Sequence, residues 1–286
     1  MRILLTGASG QLGREMQRAL AGEDVIPANR PDYELTDPAL SAKIAATHPD
    51  LVIHAAGFSD VDGCEQDPET AFQVNAQATS RVAEGAVRAG ARLVYISTDY
   101  VFDGKKGEPY TEGDPVGPLN VYGCSKLMGE QEALKTCPRA IIVRTSWLYG
   151  VHGKNFVKTI LSLAVTQPEV RVVEDQRGSP TYARHLAQVV AGLIRSDVTG
   201  VIHAGGEGEC SRYEFAKAIL QEAGLQCRVV PISTAESGRL AVRPSYSVLS
   251  TALLRQHRLS LLPWRTGLQR FVADTTALHS SAIRDR

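Results

Sequence analysis

The feature that most constrains this chain is Thr6-Gly7-Ala8-Ser9-Gly10-Gln11-Leu12-Gly13, which follows a short apolar run and opens an amphipathic stretch. Glycines at i, i+3 and i+6 allow a tight strand-to-helix turn and a close backbone approach. A pyrophosphate can then sit on the free N–H groups and the positive dipole end of the helix. Because the segment sits at the first strand of an alternating pattern, it predicts a dinucleotide cradle at Gly7, Gly10, Gln11, Leu12 and Gly13.

Short β-branched runs at residues 3–6, 25–28, 51–54, 93–97 and 140–144 alternate with amphipathic stretches at 11–20, 38–46, 68–89 and 122–134. This rhythm predicts an α/β fold, a Rossmann-type doubly wound parallel sheet. Pro27 lies in the second run and is expected to end that strand early, since proline cannot donate to a ladder. Beyond Tyr149 the pattern loosens, with helices expected at 155–165, 183–195, 212–223 and 266–278. The expectation is a dinucleotide-binding domain over 1–147. A smaller C-terminal α/β domain over 148–286, mainly for substrate, is expected to close on it, with room for some of its segments to return to the first.

Thirty-one basic and thirty-one acidic residues cancel, so no global field gathers nucleic acid or an anionic membrane. An anionic ligand needs local cations. No apolar run reaches the ~18 residues of a membrane span, and Thr6 and Gly7 interrupt the N-terminal run before a signal-peptide core forms. These features predict a cytoplasmic protein. The five cysteines are scattered, without a C-x-x-C pair or a histidine cluster, and predict reduced thiols and no metal site.

Two further patterns carry chemistry. Tyr122 and Lys126 are spaced i, i+4, which places both on one helix face. An ammonium near a phenol attracts it by ~4 kcal/mol at ~4 Å in an intermediate dielectric, which predicts a hydroxyl pKa lowered toward neutrality, where a general acid works best. Thr98 and Asp99 arrive where the fourth strand finishes, the edge at which such sheets bind ligands. At the second strand's end stand Arg30, suited to a 2′-phosphate and hence NADPH, and Asp32 and Glu34, suited to the free 2′-hydroxyl of NADH.

Together, GASGQLG (7–13), HAAG (54–57), STDYVFDG (97–104), PLNVYGCSKLMGE (118–130), RTSWLYG (144–150), DQRGSPT (175–181) and RPSYSVL (243–249) run in order along nearly the whole chain. In this the chain resembles the extended short-chain dehydrogenase/reductases and, within them, the dTDP-4-dehydrorhamnose reductases. The resemblance implies reduction of the C4 keto group of dTDP-4-dehydro-6-deoxy-L-mannose to dTDP-L-rhamnose by NADPH, with NADH as the alternative. Tyr122, Lys126 and Thr98 would be catalytic. Cofactor contacts would fall at Gly10, Gln11, Leu12, Asn29 or Arg30, Glu34, Leu35, Gly57, Phe58, Ser59 and Ile96, with Tyr122 and Lys126. Substrate contacts would be Ser59, Val61, Thr98, Asp99, Tyr100 and Trp147, with Arg177 and Arg243 supplying charge for the diphosphate.

Other readings share these motifs. An epimerase or dehydratase of the same superfamily would return its hydride, and a non-catalytic regulatory subunit, like the methionine adenosyltransferase beta subunit, would show no turnover. Two residues depart from the family pattern: His54, where Asn is common, and Arg212, where an aromatic is expected after Ser211. Both are expected to touch packing more than chemistry. Some family members hold Mg2+ in a glutamate cluster at a dimer contact. Glu15 matches one such position, whereas Arg184 stands where a second glutamate is expected and opposes a metal. The expected assembly is a monomer or homodimer.

Overall fold

The computed structural model describes residues 1–284. The first half lays down β1 (Arg2–Thr6), α1 (Gln11–Ala19), β2 (Asp24–Ala28), α2 (Leu40–Ala45), β3 (Leu51–His54), α3 (Val61–Gln66), α4 (Pro68–Phe72), α5 (Ala78–Arg88), β4 (Arg92–Thr98), α6 (Val121–Thr136) and β5 (Ile141–Thr145). Then come β6 (Leu148–Tyr149), α7 (Phe156–Thr166), β7 (Glu169–Val173), β8 (Arg177–Gly178), β9 (Thr181–Tyr182), α8 (Ala183–Leu193) and β10 (Gly200–His203). The chain finishes with β11 (Cys210–Ser211), α9 (Arg212–Glu222), β12 (Arg228–Ile232), α10 (Ala252–Gln256) and α11 (Trp264–Arg284).

Six parallel strands form one sheet in the order β2-β1-β3-β4-β5-β10. The chain steps from β1 out to β2 and returns to β3 on the other side, so the strand order reverses at β1. This opens a crevice beyond the carboxyl ends of β1 and β3. Alternate strand residues serve opposite faces. Ile3, Leu5, Ile53 and Val143 pack with Leu12 and Met16 of α1 and Leu186 and Val190 of α8. Leu4, Val52, Leu93 and Ile142 pack with Leu40 and Ile44 of α2, Val82 and Ala86 of α5, and Ala133 of α6.

The described structure differs from the sequence expectation in two places. Pro27 does not end β2 early; it lies inside it, paired with Leu5. It is tolerated because β2 is an edge strand, where no further neighbour needs the missing N–H. The expected helix at 68–89 is broken by a π-helical segment, Gln73–Gln77, between α4 and α5. From the second half, α8 and β10 cover and extend the main sheet. The rest of that half has its own core, in which Tyr149, Val157, Ile160, Val172, Tyr182, Phe215, Ile219, Trp264 and Phe271 join α7, α9 and α11 to the parallel pair β7–β12.

Candidate active site

A cleft of about 880 Å³ runs over the sheet's carboxyl edge. Its floor is the glycine turn. Gly7 has φ +69°, and a Cβ there would lie 2.8 Å from the Ala56 nitrogen; one on Gly13 would lie 2.1 Å from the Gly7 carbonyl oxygen. Only bare backbone lets α1 settle on this turn. Gly10, the N-cap of α1, has no side chain to bond the first-turn amides, which leaves them for a ligand.

At one end, Asn29 Oδ1 accepts from the Ser9 amide at 2.9 Å and ties the glycine loop to the end of β2. Arg30 is exposed on the cleft wall and has no hydrogen bond or ion pair among the described residues. Glu34 and Leu35 also line the wall, with Glu34 Oε1 accepting from the Leu35 amide at 3.0 Å. Asp32 lies off it, its carbonyl accepting from Lys43 Nζ.

At the centre, β4 delivers Thr98, whose Oγ1 donates to Asp99 Oδ1 at 3.1 Å and accepts from the Tyr100 amide at 3.2 Å. Helix α6 is started by Asn120, which accepts from the Gly123 amide at 2.8 Å, and so brings Tyr122 and Lys126 to the same wall. Lys126 Nζ donates to the Ile96 carbonyl at 2.7 Å and sits 4.0 Å above the Tyr95 ring. Burial lowers the Lys126 ammonium to about 7, against the pull of Glu130. Glu130 is itself held by Arg144 at 2.7 and 2.9 Å and by Ser97 at 2.5 Å. Burial likewise pushes the Tyr122 hydroxyl up, only partly opposed by Thr98. The expected lowering of Tyr122 by Lys126 is thus reversed, because burial disfavours the charged form of both groups.

Sequence reasoning missed Asn75, which lies on the π-helical segment and lines the cleft. Its Oδ1 accepts from the Phe58 amide at 2.8 Å, and its Nδ2 donates to the Phe58 carbonyl at 2.9 Å and to Ser125 Oγ at 3.0 Å. One side chain therefore couples the Gly57–Ser59 wall to α6. Nothing in the periodicity marks the extra residue of a π turn, although such turns recur at functional sites. His54 is a packing residue, as expected. It is fully buried, bonded to Thr6 at 2.7 Å and Thr79 at 3.2 Å, and stacked on Tyr95.

At the far end stand Ser59, Val61, Asp99, Tyr100 and Trp147. Asp99 is buried, accepts from Ser247 Oγ at 2.5 Å, and is pushed up to about 6 by desolvation. Tyr100 meets the Tyr122 ring edge-on at 5.9 Å. Trp147 adopts φ +44°, a conformation that costs a non-glycine residue about 1–3 kcal/mol. A Cβ on Gly178 would lie 2.4 Å from its indole, so the glycine of the 175–181 motif is what admits the ring.

Two expected contacts are not brought to the cleft wall. Arg177 is paired with Glu209 at 3.0 Å and Glu214 at 3.5 Å, and Arg243 is paired with Asp62 at 3.0 Å. Both have acidic partners that sequence spacing does not reveal. Arg212, expected to matter for packing, instead lines the cleft with its guanidinium 3.5 Å over the Trp147 ring. Lys154 lines it too, and Asn155 Nδ2 donates across the halves to Gln11 Oε1 at 2.8 Å. Away from the cleft, Arg184 Nε contacts Glu15 Oε2 at 3.3 Å. Among the described residues no group of three or more His, Cys, Asp or Glu side chains is arranged to hold a metal ion.

Comparison with known proteins places this geometry among relatives. The RmlD substrate binding domain family matches residues 1–277. The chain is 42% identical to a dTDP-4-dehydrorhamnose reductase of Mycobacterium tuberculosis, over 93% of this chain and 91% of that protein. It is 40% identical to the spore coat polysaccharide biosynthesis protein SpsK of Bacillus subtilis, over 96% and 98%. Among solved structures, dTDP-4-dehydrorhamnose reductase from Bacillus anthracis in complex with NADP superposes with a TM-score of 0.93 at 40% identity, covering 96% of this chain and 99% of that one. A Thermus thermophilus UDP-glucose 4-epimerase, at 21% identity and a TM-score of 0.81, shares the fold.

Proposed function

Because this chain belongs to the RmlD substrate binding domain family, we propose that it reduces the C4 keto group of dTDP-4-dehydro-6-deoxy-L-mannose to dTDP-L-rhamnose with NADPH. The observation that carries this reading is the meeting of Thr98, Tyr122 and Lys126 with the glycine cradle in one cleft.

The residues fit a dinucleotide. A Cβ on Gly7 or Gly13 would fill the cradle, and the buried Thr145 hydroxyl on the cleft wall has no partner among the described residues. The first-turn amides of α1 would hold the pyrophosphate, Arg30 the 2′-phosphate, and Lys126 the nicotinamide ribose. When bound, NADPH supplies the hydride that reduces C4. Tyr122, kept protonated at neutral pH by burial, donates its proton to the C4 oxygen, and Thr98 hydrogen-bonds that oxygen as its charge develops. Trp147 forms the wall against which the sugar nucleotide lies.

On this reading residues 1–147 hold the dinucleotide and 148–286 mainly the sugar nucleotide, with 183–203 packed back onto the first layer. The reaction is set in the cytoplasm and carried out by a monomer or homodimer. No helix among the described residues is long and apolar enough to cross a membrane. The test is to mix purified protein, NADPH and the dTDP-4-keto sugar and follow nicotinamide absorbance. Stoichiometric oxidation is expected. Sugar conversion without net oxidation would identify an epimerase or dehydratase, and no conversion with tight binding to a synthetase would identify a regulatory subunit.

A further inference from the structure

A substrate that carries a diphosphate must be met by cations, and a chain of zero net charge has only local ones to offer. Among the described residues the cleft wall presents four: Arg30, Lys126, Lys154 and Arg212. Arg30 stands beside the end of β2, at the far end from the reacting groups. Lys126 donates to the Ile96 carbonyl and is assigned to the nicotinamide ribose, and Lys154 is exposed.

Arg212 is placed differently. The antiparallel pair β8–β11 sets Ser211 opposite Arg177, so the next residue, the first of α9, emerges beside Trp147. Its guanidinium lies 3.5 Å above the indole, which is seated over bare Gly178. No carboxylate lies within 4.0 Å of it among the described residues, whereas Arg177, Arg184, Arg239 and Arg243 each have one. Asp99, an acid facing it, already accepts from Ser247 and Thr98. A partly buried cation with no carboxylate in direct contact is costly to keep, and stacking on an indole offsets only part of that cost. The Tyr100 hydroxyl faces the guanidinium, and the remaining N–H edge of the stacked group lies in a plane suited to two oxygens at once.

We infer that Arg212 is the specificity-determining cation that receives the diphosphate of the sugar nucleotide, with Trp147 as the platform that orients it. This rests on the reading of the cleft as a dTDP-sugar site. It assigns charge recognition to a position where the family resemblance leads one to expect an aromatic.

The test is calorimetric titration of dTDP, thymidine and NADPH into the intact protein and into Arg212→Ala, Arg212→Phe and Arg212→Lys. Loss of a charge-assisted bidentate contact should weaken dTDP roughly 10- to 100-fold in the Ala and Phe variants. Thymidine, which has no diphosphate, and NADPH should bind as before, and Lys should recover part of the loss. Full dTDP affinity in Arg212→Phe would overturn the proposal, as would equal losses for dTDP and thymidine, because Arg212 would then serve only to prop Trp147. Unchanged NADPH affinity certifies folding; if Ala disrupts it, the Phe and Lys variants decide. Failure of the unsubstituted protein to bind dTDP would overturn the sugar-nucleotide reading itself, and this inference with it.

Discussion

At Tyr122 and Lys126 two physical effects oppose each other, and burial wins. The i, i+4 spacing that aligns them was legible in the chain, but the sign of their pKa shifts was not. Desolvation comes from the packing around α6, which spacing does not encode. A hydroxyl held protonated is a proton donor, so Tyr122→Phe should lower turnover by ~100-fold or more while nicotinamide affinity is kept. Steady-state kinetics with cofactor titration checks this, and near-normal turnover in a folded variant would remove Tyr122 from the chemistry. Arg30 offers a second case, because it lines the cleft while Asp32 does not. Arg30→Ala should weaken NADPH by roughly tenfold or more through the lost charge-assisted contact, and NADH very little. Equal losses in fluorescence titrations would pass control of the ribose to Glu34.

At the scale of elements, the 68–89 stretch reads as one amphipathic helix and folds as two helices about a π turn. A single added residue in the turn barely disturbs apolar periodicity, so sequence cannot mark it. Its consequence is that Asn75 reaches both Phe58 and Ser125. Asn75→Ala should cost about 1–3 kcal/mol of stability, because buried partners are left unbonded. It should also weaken the dinucleotide and slow turnover together, since the Gly57–Ser59 wall and α6 lose their shared tie. Denaturant unfolding alongside kinetics checks it, and a variant of unchanged stability would show that the tie is dispensable. Pro27 carries the converse lesson. Its missing donor forbids a central strand but not an edge strand, and edge status is a property of the sheet.

Across the whole molecule, two buried imidazoles tie stability to pH. His54 and His203 are lowered to about 3 by burial, against an ordinary value of 6.5. As pH falls through 6.5 toward 3 the unfolded chain binds two protons that the native chain refuses, so stability declines with acidification. Asp99, raised to about 6, takes a native proton below that pH and offsets one of them until the unfolded carboxylate protonates. The expected slope is about 1.4 kcal/mol per pH unit for each uncompensated proton. Thermal unfolding at pH 7.5, 6.5 and 5.5 should show a falling Tm, and a flat profile would mean the imidazoles are not held neutral. The sequence by itself determined the α/β alternation, the glycine cradle, the strand-end Thr98 and the Tyr122–Lys126 pair, because these depend on chain-local geometry and on spacing within one element. Only the tertiary structure decided that α8 and β10 return to the main sheet, that Arg177 and Arg243 are spent on Glu209, Glu214 and Asp62, and that Arg212 stands over Trp147. A charge's role depends on which opposite charge reaches it first, and those partners are brought together from distant parts of the chain.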